Sequence, residues 1–194
     1  VARAQLFIGQ GDGTTALAVL EAALKDYPGH PQLGYQRATM LERAGRKADA
    51  ERAFEQLYKQ RPEDPGVANA LGFTLADHNR SLDRAEKLVR QALAVSPDNP
   101  AIQDSLGWVL FRRGRVADAV LQIEHAWQTT RDAEIGAHFG EVLWKHGEEG
   151  RARYVWQQAL NVDPDDELLR KTVQRLTGEE PPRTGNRASN PPIN

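Results

Sequence analysis

The chain has 194 residues, 40% of them hydrophobic and 27% charged, and 25 Lys and Arg stand against 27 Asp and Glu, so it has apolar material for one or two folded domains and a formal charge of only -2. So balanced a surface sets up no field to gather nucleic-acid phosphates or anionic lipid, and the absence of cysteine removes disulfide frameworks, thiolate metal sites and cysteine nucleophiles while leaving cytosol and periplasm equally open. No apolar run approaches ~18 residues, so no bilayer span is expected, and no segment reads as a signal peptide.

A period of about 34 residues orders the chain. Pro28, Pro62, Pro97 and Pro164 each follow an amphipathic run, with separations of 34, 35 and 67 residues. Ala16, Ala50, Ala85, Ala119 and Ala152 recur in step, and seven residues beyond them stand Ala23, Leu57, Ala92, Ala126 and Ala159. Turn-forming Gly11, Gly45, Asn79, Gly114 and Gly147 precede the first alanine set. Each unit therefore holds two helices.

Residues 1–30 form a partial first unit, in which "GQGDG" at 9–13 looks like a phosphate loop but lacks the following Gly-Lys-Ser/Thr and the preceding strand, and is read as a helix-to-helix turn. Complete units follow at 31–64, 65–99 and 100–132; His30-Pro31, Asp64-Pro65 and Asn99-Pro100 place a polar residue and then a proline where a helix begins, suiting N-cap and N1. The turn "ADHNRSLD" carries one extra residue and the weak glycosylation pattern "NRS" at 79–81. The unit 133–166 opens without proline, after "QTTRDAE", a connection one residue short. "DPDDE" at 163–167 suits a helix start, where carboxylates cap and oppose the macrodipole. Leu168, Leu169, Val173 and Leu176 give 167–177 one apolar face, as expected of a helix closing a solenoid end, and the Pro-, Gly- and Asn-rich 178–194 reads as a flexible tail. Val1 falls at the fifth position of a first helix, so the chain is expected to be the C-terminal part of a longer array.

The period, Gly72, Gly107 and Gly140 with Ala38 at one phase, and Leu41, Leu75, Leu110 and Leu143 three residues later resemble the tetratricopeptide repeat family. Leu20, Phe54, Val89, Ile123 and Trp156 match its large second-helix residue. The aromatic usual at the fourth position is replaced by Gly34, Ala68, Gln103 and Ile135. The resemblance implies an all-α, right-handed superhelix of helix-turn-helix repeats, an α-solenoid with a C-terminal capping helix. It also implies a groove lined by the first helices, at Tyr35, Thr39, Glu42 and Arg43; Asn69, Phe73, Ala76 and Asp77; Asp104, Trp108, Phe111 and Arg112; and Glu141, Trp144 and Lys145. Half-exposed groove aromatics would make an apolar patch of roughly 300 Å². Alternatively, Trp108 and Trp144 fill space between neighbouring first helices.

The mixed rim favours an apolar or amphipathic protein or peptide ligand. The chaperone-binding clamp of the family is not matched, since Tyr35, Thr39, Ala70, Ala101 and Ser105 occupy its places. His138, Glu141 and Lys145 share one helix, where a metal or acid–base set is conceivable but no second helix offers completing ligands; a solvated polar face is expected. No catalytic residue, metal ligand or cofactor is assigned, nucleic acid is not expected as a partner, and no segment is expected to insert in a membrane. Residues 69–160 further resemble the C-terminal part of proteobacterial tetratricopeptide lipoproteins of the outer membrane, which include an adaptor for a periplasmic processing protease. That implies a scaffold at the periplasmic face, with a cytoplasmic location as the alternative. Self-association, or attachment to an envelope-enzyme domain outside these residues, are the competing readings.

Overall fold

The computed structural model describes residues 2–181, so the expected tail lies outside the described residues from 182 onward. Among the described residues are eleven α-helices and no strand: α1 (Ala2–Gly9), α2 (Gly13–Asp26), α3 (Pro31–Arg43), α4 (Lys47–Gln60), α5 (Pro65–Asp77), α6 (Leu82–Val95), α7 (Pro100–Arg112), α8 (Val116–Thr130), α9 (Ala133–His146), α10 (Glu149–Val162) and α11 (Glu167–Thr177). They form two compact units, one ending at Pro97 and one beginning at Asp98. Within the first, each helix from α1 to α6 packs on the next; within the second, α7 packs on α8, α8 on α9, α9 on α10, and α11 lies against α9 and α10.

Local chemistry sets the helix starts. A proline at N1 has its φ already helical and lacks only an N–H that would go unbonded, while the residue before it accepts from the next free amides. His30 Nδ1 accepts from Leu33 N–H at 3.4 Å, Asp64 from Gly66 and Val67 at 2.9 and 3.2 Å, and Asn99 from Ala101 and Ile102 at 3.0 and 3.4 Å. Helix α9 has no proline. Arg131 turns the chain there with φ 54°, and Asp132 accepts from Glu134 and Ile135 at 2.9 and 3.3 Å. "GQGDG" is the turn between α1 and α2, with Gly11 at φ 76° and Asp12 accepting from Thr15 N–H at 2.9 Å. Asp166 caps α11 through Leu169 N–H at 2.7 Å. The lengthened turn at 79–81 passes through two left-handed residues, Asn79 and Ser81.

Within a pair, the helices meet where one side chain is missing. A Cβ on Gly72 would stand 2.6 Å from Val89 Cγ2, on Gly107 2.1 Å from Ile123 Cγ1, and on Gly140 2.0 Å from Trp156 Nε1. Ala38 holds the same place in α3 and is fully buried. The fourth-position place in the last full unit falls on Gly136 rather than Ile135. A Cβ at Gly34 would meet Leu57, and one at Gly136 would meet Ala159, the residue of the same phase as Leu57, in keeping with Gly136 as the fourth residue counted from Ala133. The indole of Trp127, from α8, fills the space beside Gly136.

On the outer side, Arg80 and Arg84 of the α6 segment reach Glu51 and Glu55 of α4 at 3.1 and 3.0 Å, and Arg151 of α10 reaches Glu124 of α8 at 2.8 Å. Exposed pairs of this kind contribute at most about 1 kcal/mol each, so burial at the helix crossings dominates.

Gly140→Ala and Gly107→Ala are expected to lower the free energy of unfolding by about 2 kcal/mol or more in urea titrations, reversing the usual gain of about 1 kcal/mol for alanine over glycine in a helix. Gly150→Ala, where an added Cβ meets nothing within 4 Å, is expected to show that gain. Equal effects at all three positions would remove close approach as the reason for the glycines.

Candidate functional site

The residues expected to line a groove lie on α3, α5, α7 and α9. In the first unit, Tyr35 is 38% exposed and sits edge-on to Phe54 with ring centroids 5.6 Å apart. Thr39 Oγ1 donates back to the Tyr35 carbonyl at 3.1 Å. Half-buried Glu42 lies 2.6 Å from His78 Nε2, Arg43 is exposed, and Asn69, Phe73 and Asp77 are half-buried, with Lys47 Nζ 3.9 Å from Asp77. Ala76 is fully buried and offers nothing to a ligand.

In the second unit the expected face is deeper than its phase suggests. Trp108 is 5% exposed, so it is not the half-exposed aromatic that the roughly 300 Å² patch supposed, and Asp104, 4% exposed, is buried with it. The cause is His138, one repeat further on. Its ring stacks on the Trp108 indole at 4.5 Å with 26° between planes, and its Nδ1 lies 2.8 Å from Asp104 Oδ2. Trp108 also contacts Phe111 at 5.3 Å, and the Arg112 guanidinium stands 5.8 Å from the indole centroid. Space filling between α7 and α9 is therefore what the Trp108 ring does. Phe111 and Arg112 remain half-buried, and Lys145 is exposed. Trp144 is also half-buried, 5.6 Å from Trp156, with the Arg153 guanidinium 5.4 Å from its centroid.

The solvated polar face expected at His138 and Glu141 is absent. Both side chains are buried, and the completing partners come from neighbouring helices: Asp104 of α7 for His138, and Arg175 of α11, which donates to Glu141 at 2.6 Å. Each of these pairs is separated by 34 residues, one full period, whereas Glu42 and His78 are 36 apart, His78 lying just past the end of α5. The 34-residue spacing of Asp104 with His138 and of Glu141 with Arg175 is the signal in the sequence that marks these two pairs. Among the described residues, no helix is long and apolar enough to cross a membrane.

The Tetratricopeptide repeat family model matches residues 1–67 and 69–134. The chain belongs to the tetratricopeptide repeat family. It is 39% identical over 167 residues to the TPR repeat-containing protein PA4667 of Pseudomonas aeruginosa, an alignment that takes in 86% of this chain and 28% of that protein. The chain thus spans little more than a quarter of that relative's length. Among solved structures it is similar to TTC0263, a thermophilic TPR protein of Thermus thermophilus, with TM-score 0.77 and 21% identity over 90% of this chain and 95% of that one. It is also similar to MamA of Desulfovibrio magneticus RS-1 (TM-score 0.62, 16% identity, 86% and 94% covered). YrrB, described as a TPR protein with an unusual peptide-binding site, matches with TM-score 0.54 and 17% identity over 86% of each chain. These likenesses show the α-solenoid fold of tetratricopeptide repeats, and repeats of this kind are protein-interaction modules.

Between α7 and α9 of this tetratricopeptide repeat chain the electrostatics centre on His138. Burial disfavours its charged form, but the Asp104 charge and hydrogen bond, with Glu134 and Glu141 adding to them, outweigh burial and push the imidazole up to about 9 from an ordinary 6.5. Because the folded value is the higher, protonated His138 stabilises the fold. The contribution is complete below pH 6.5, falls as pH rises through the window to about 9, and is gone above it. Its size is on the order of 3 kcal/mol. The stability difference between wild type and His138→Gln, followed by urea unfolding at pH 6, 7.5 and 9.5, is expected to shrink by that order across the series. A difference independent of pH would contradict a charged His138 in the folded state.

Proposed function

We propose that this chain is a non-catalytic scaffold that binds an apolar or amphipathic protein segment bearing an acidic group on its first-helix faces. One observation carries the reading: the acids of those faces are engaged by the chain's own groups, whereas aromatics and cations are left accessible. Glu42 is paired with His78, Asp104 with His138 and Glu141 with Arg175. Tyr35, Phe73, Phe111 and Trp144 keep part of their surface in solvent, beside Arg43, Arg112 and Lys145. Part-exposed aromatics next to arginine are the composition of interface hot spots, and positive groups over an apolar strip select a ligand with a carboxylate beside its apolar anchor. The peptide-binding site named for YrrB favours a peptide among possible protein ligands.

The likeness of residues 69–160 to outer-membrane tetratricopeptide lipoproteins supports a periplasmic scaffold that presents a partner to a processing protease. Fractionation of the producing cell tests the compartment: recovery in the periplasmic or outer-membrane fraction is expected, and recovery in the cytosol alone rejects it.

Phe111→Ala combined with Trp144→Ala removes two part-exposed aromatics and keeps both members of the Trp108–His138 stack, which loses only the Phe111 contact at 5.3 Å. The double variant is expected to keep its helical circular dichroism and to lose binding by about 2 kcal/mol or more, roughly thirtyfold, in pull-downs from an envelope extract followed by titration of the captured partner. Capture of the same partners at the same strength as wild type would count against the face as a binding surface.

A further inference from the structure

A set of polar groups in the first unit takes in the Glu42–His78 pair and adds Asp77 to it. Glu42 of α3 and the adjacent Asp77 and His78 at the end of α5 bring one ligand atom each to within 4.8 Å of one another. We infer that these three residues bind a divalent transition-metal ion of borderline softness, with Zn²⁺ the best match.

The donor set is one imidazole and two carboxylates, a combination that suits zinc with a water in the fourth place; magnesium and calcium favour all-oxygen shells of six or more ligands. Ligand atoms about 2.0–2.1 Å from a tetrahedral ion stand roughly 3.4 Å apart. His78 Nε2 and Glu42 Oε1 stand 2.6 Å apart and the three ligand atoms lie within 4.8 Å of one another, so torsions of two half-buried carboxylates bring the set to that spacing.

Two further observations point the same way. The His78 side chain is only 4% exposed, and Glu51 Oε2, which accepts from Arg80 at 3.1 Å, lies 3.9 Å from its Nδ1. That carboxylate is close enough for a small torsion to bring it onto Nδ1, the arrangement that orients a metal-bound histidine. Glu42 Oε2 is buried and accepts no hydrogen bond, a costly state for a carboxylate oxygen that an ion at this point relieves. Lys47, whose Nζ is 3.9 Å from Asp77, has a largely exposed side chain that can swing into solvent when the ion enters.

The test is isothermal titration of the whole chain with Zn²⁺, and with Mg²⁺ as the hard-cation control. One Zn²⁺ per chain is expected, with no Mg²⁺ binding under the same conditions. His78→Asn is expected to abolish the event, and Glu51→Gln to weaken it by at least about tenfold while leaving the stoichiometry unchanged. Absence of Zn²⁺ binding to wild type, or binding unaltered in a folded His78→Asn chain, overturns the assignment. Should His78→Asn fail to fold, the ¹⁵N shift of His78 Nε2 in wild type decides: a large change on adding Zn²⁺ supports the site and an unchanged shift refutes it. Neither readout involves a partner, so the site and the peptide-binding reading stand or fall separately.

Discussion

The close approach of the two helices of each repeat is the constraint on which the rest depends. It rests on a hydrogen where a side chain would otherwise be, at Gly72, Gly107 and Gly140, and on a buried methyl at Ala38. Val89, Ile123 and Trp156 then press directly on the backbone opposite, gaining contacts that a few tenths of an ångström would forfeit. The wedge also fixes rotation about each helix axis. With Gly107 held against Ile123, residues one position on and four further, Trp108 and Arg112, turn away from α8, and the same rotation turns Asp104 with them.

Away from the partner helix, the faces of successive first helices are tied by polar pairs. Asp104 with His138, and Glu141 with Arg175, join residues one period apart, so these two ties span the same length of sequence and run in the same direction along the chain. Such pairs, Asp104–His138 buried and Glu141–Arg175 with its arginine largely in solvent, add little net stability compared with apolar side chains of equal volume, because desolvation or solvent screening offsets most of the attraction. Their effect is on register. A neighbouring helix slipped by one residue would strand Asp104 as an uncompensated buried charge, a penalty far larger than the pair's net contribution. The apolar wedge thus holds each repeat together, and the polar ties set how one repeat follows the next within the unit.

The helix boundaries and the wedge were legible in the sequence because both depend on short-range chemistry at a fixed phase: a polar residue before proline at His30, Asp64 and Asn99, and a missing side chain at Gly72, Gly107 and Gly140. Depth was not. Phase says which way Trp108 faces, but its exposure is decided by His138, 30 residues later, whose ring covers the indole. Reading α9 alone places His138 and Glu141 on a polar stripe, since their partners lie on α7 and α11. The Ile135 assignment is one residue short: counted from Ala133 the fourth place is Gly136, where an added Cβ would meet Ala159.

The ties also decide what the faces can offer. By formal composition the expected groove is almost neutral, with Glu42, Asp77, Asp104 and Glu141 against Arg43, Arg112 and Lys145. Once Asp104 is buried against His138 and Glu141 against Arg175, the second unit presents Phe111 and Trp144 with Arg112 and Lys145, an apolar strip with positive charge. The first unit keeps half-buried Glu42 and Asp77 beside Arg43. The two units therefore differ in chemistry although they share a frame. The difference comes from which inner-face residue finds a partner one repeat away, a choice that single substitutions can alter without disturbing the wedge beneath.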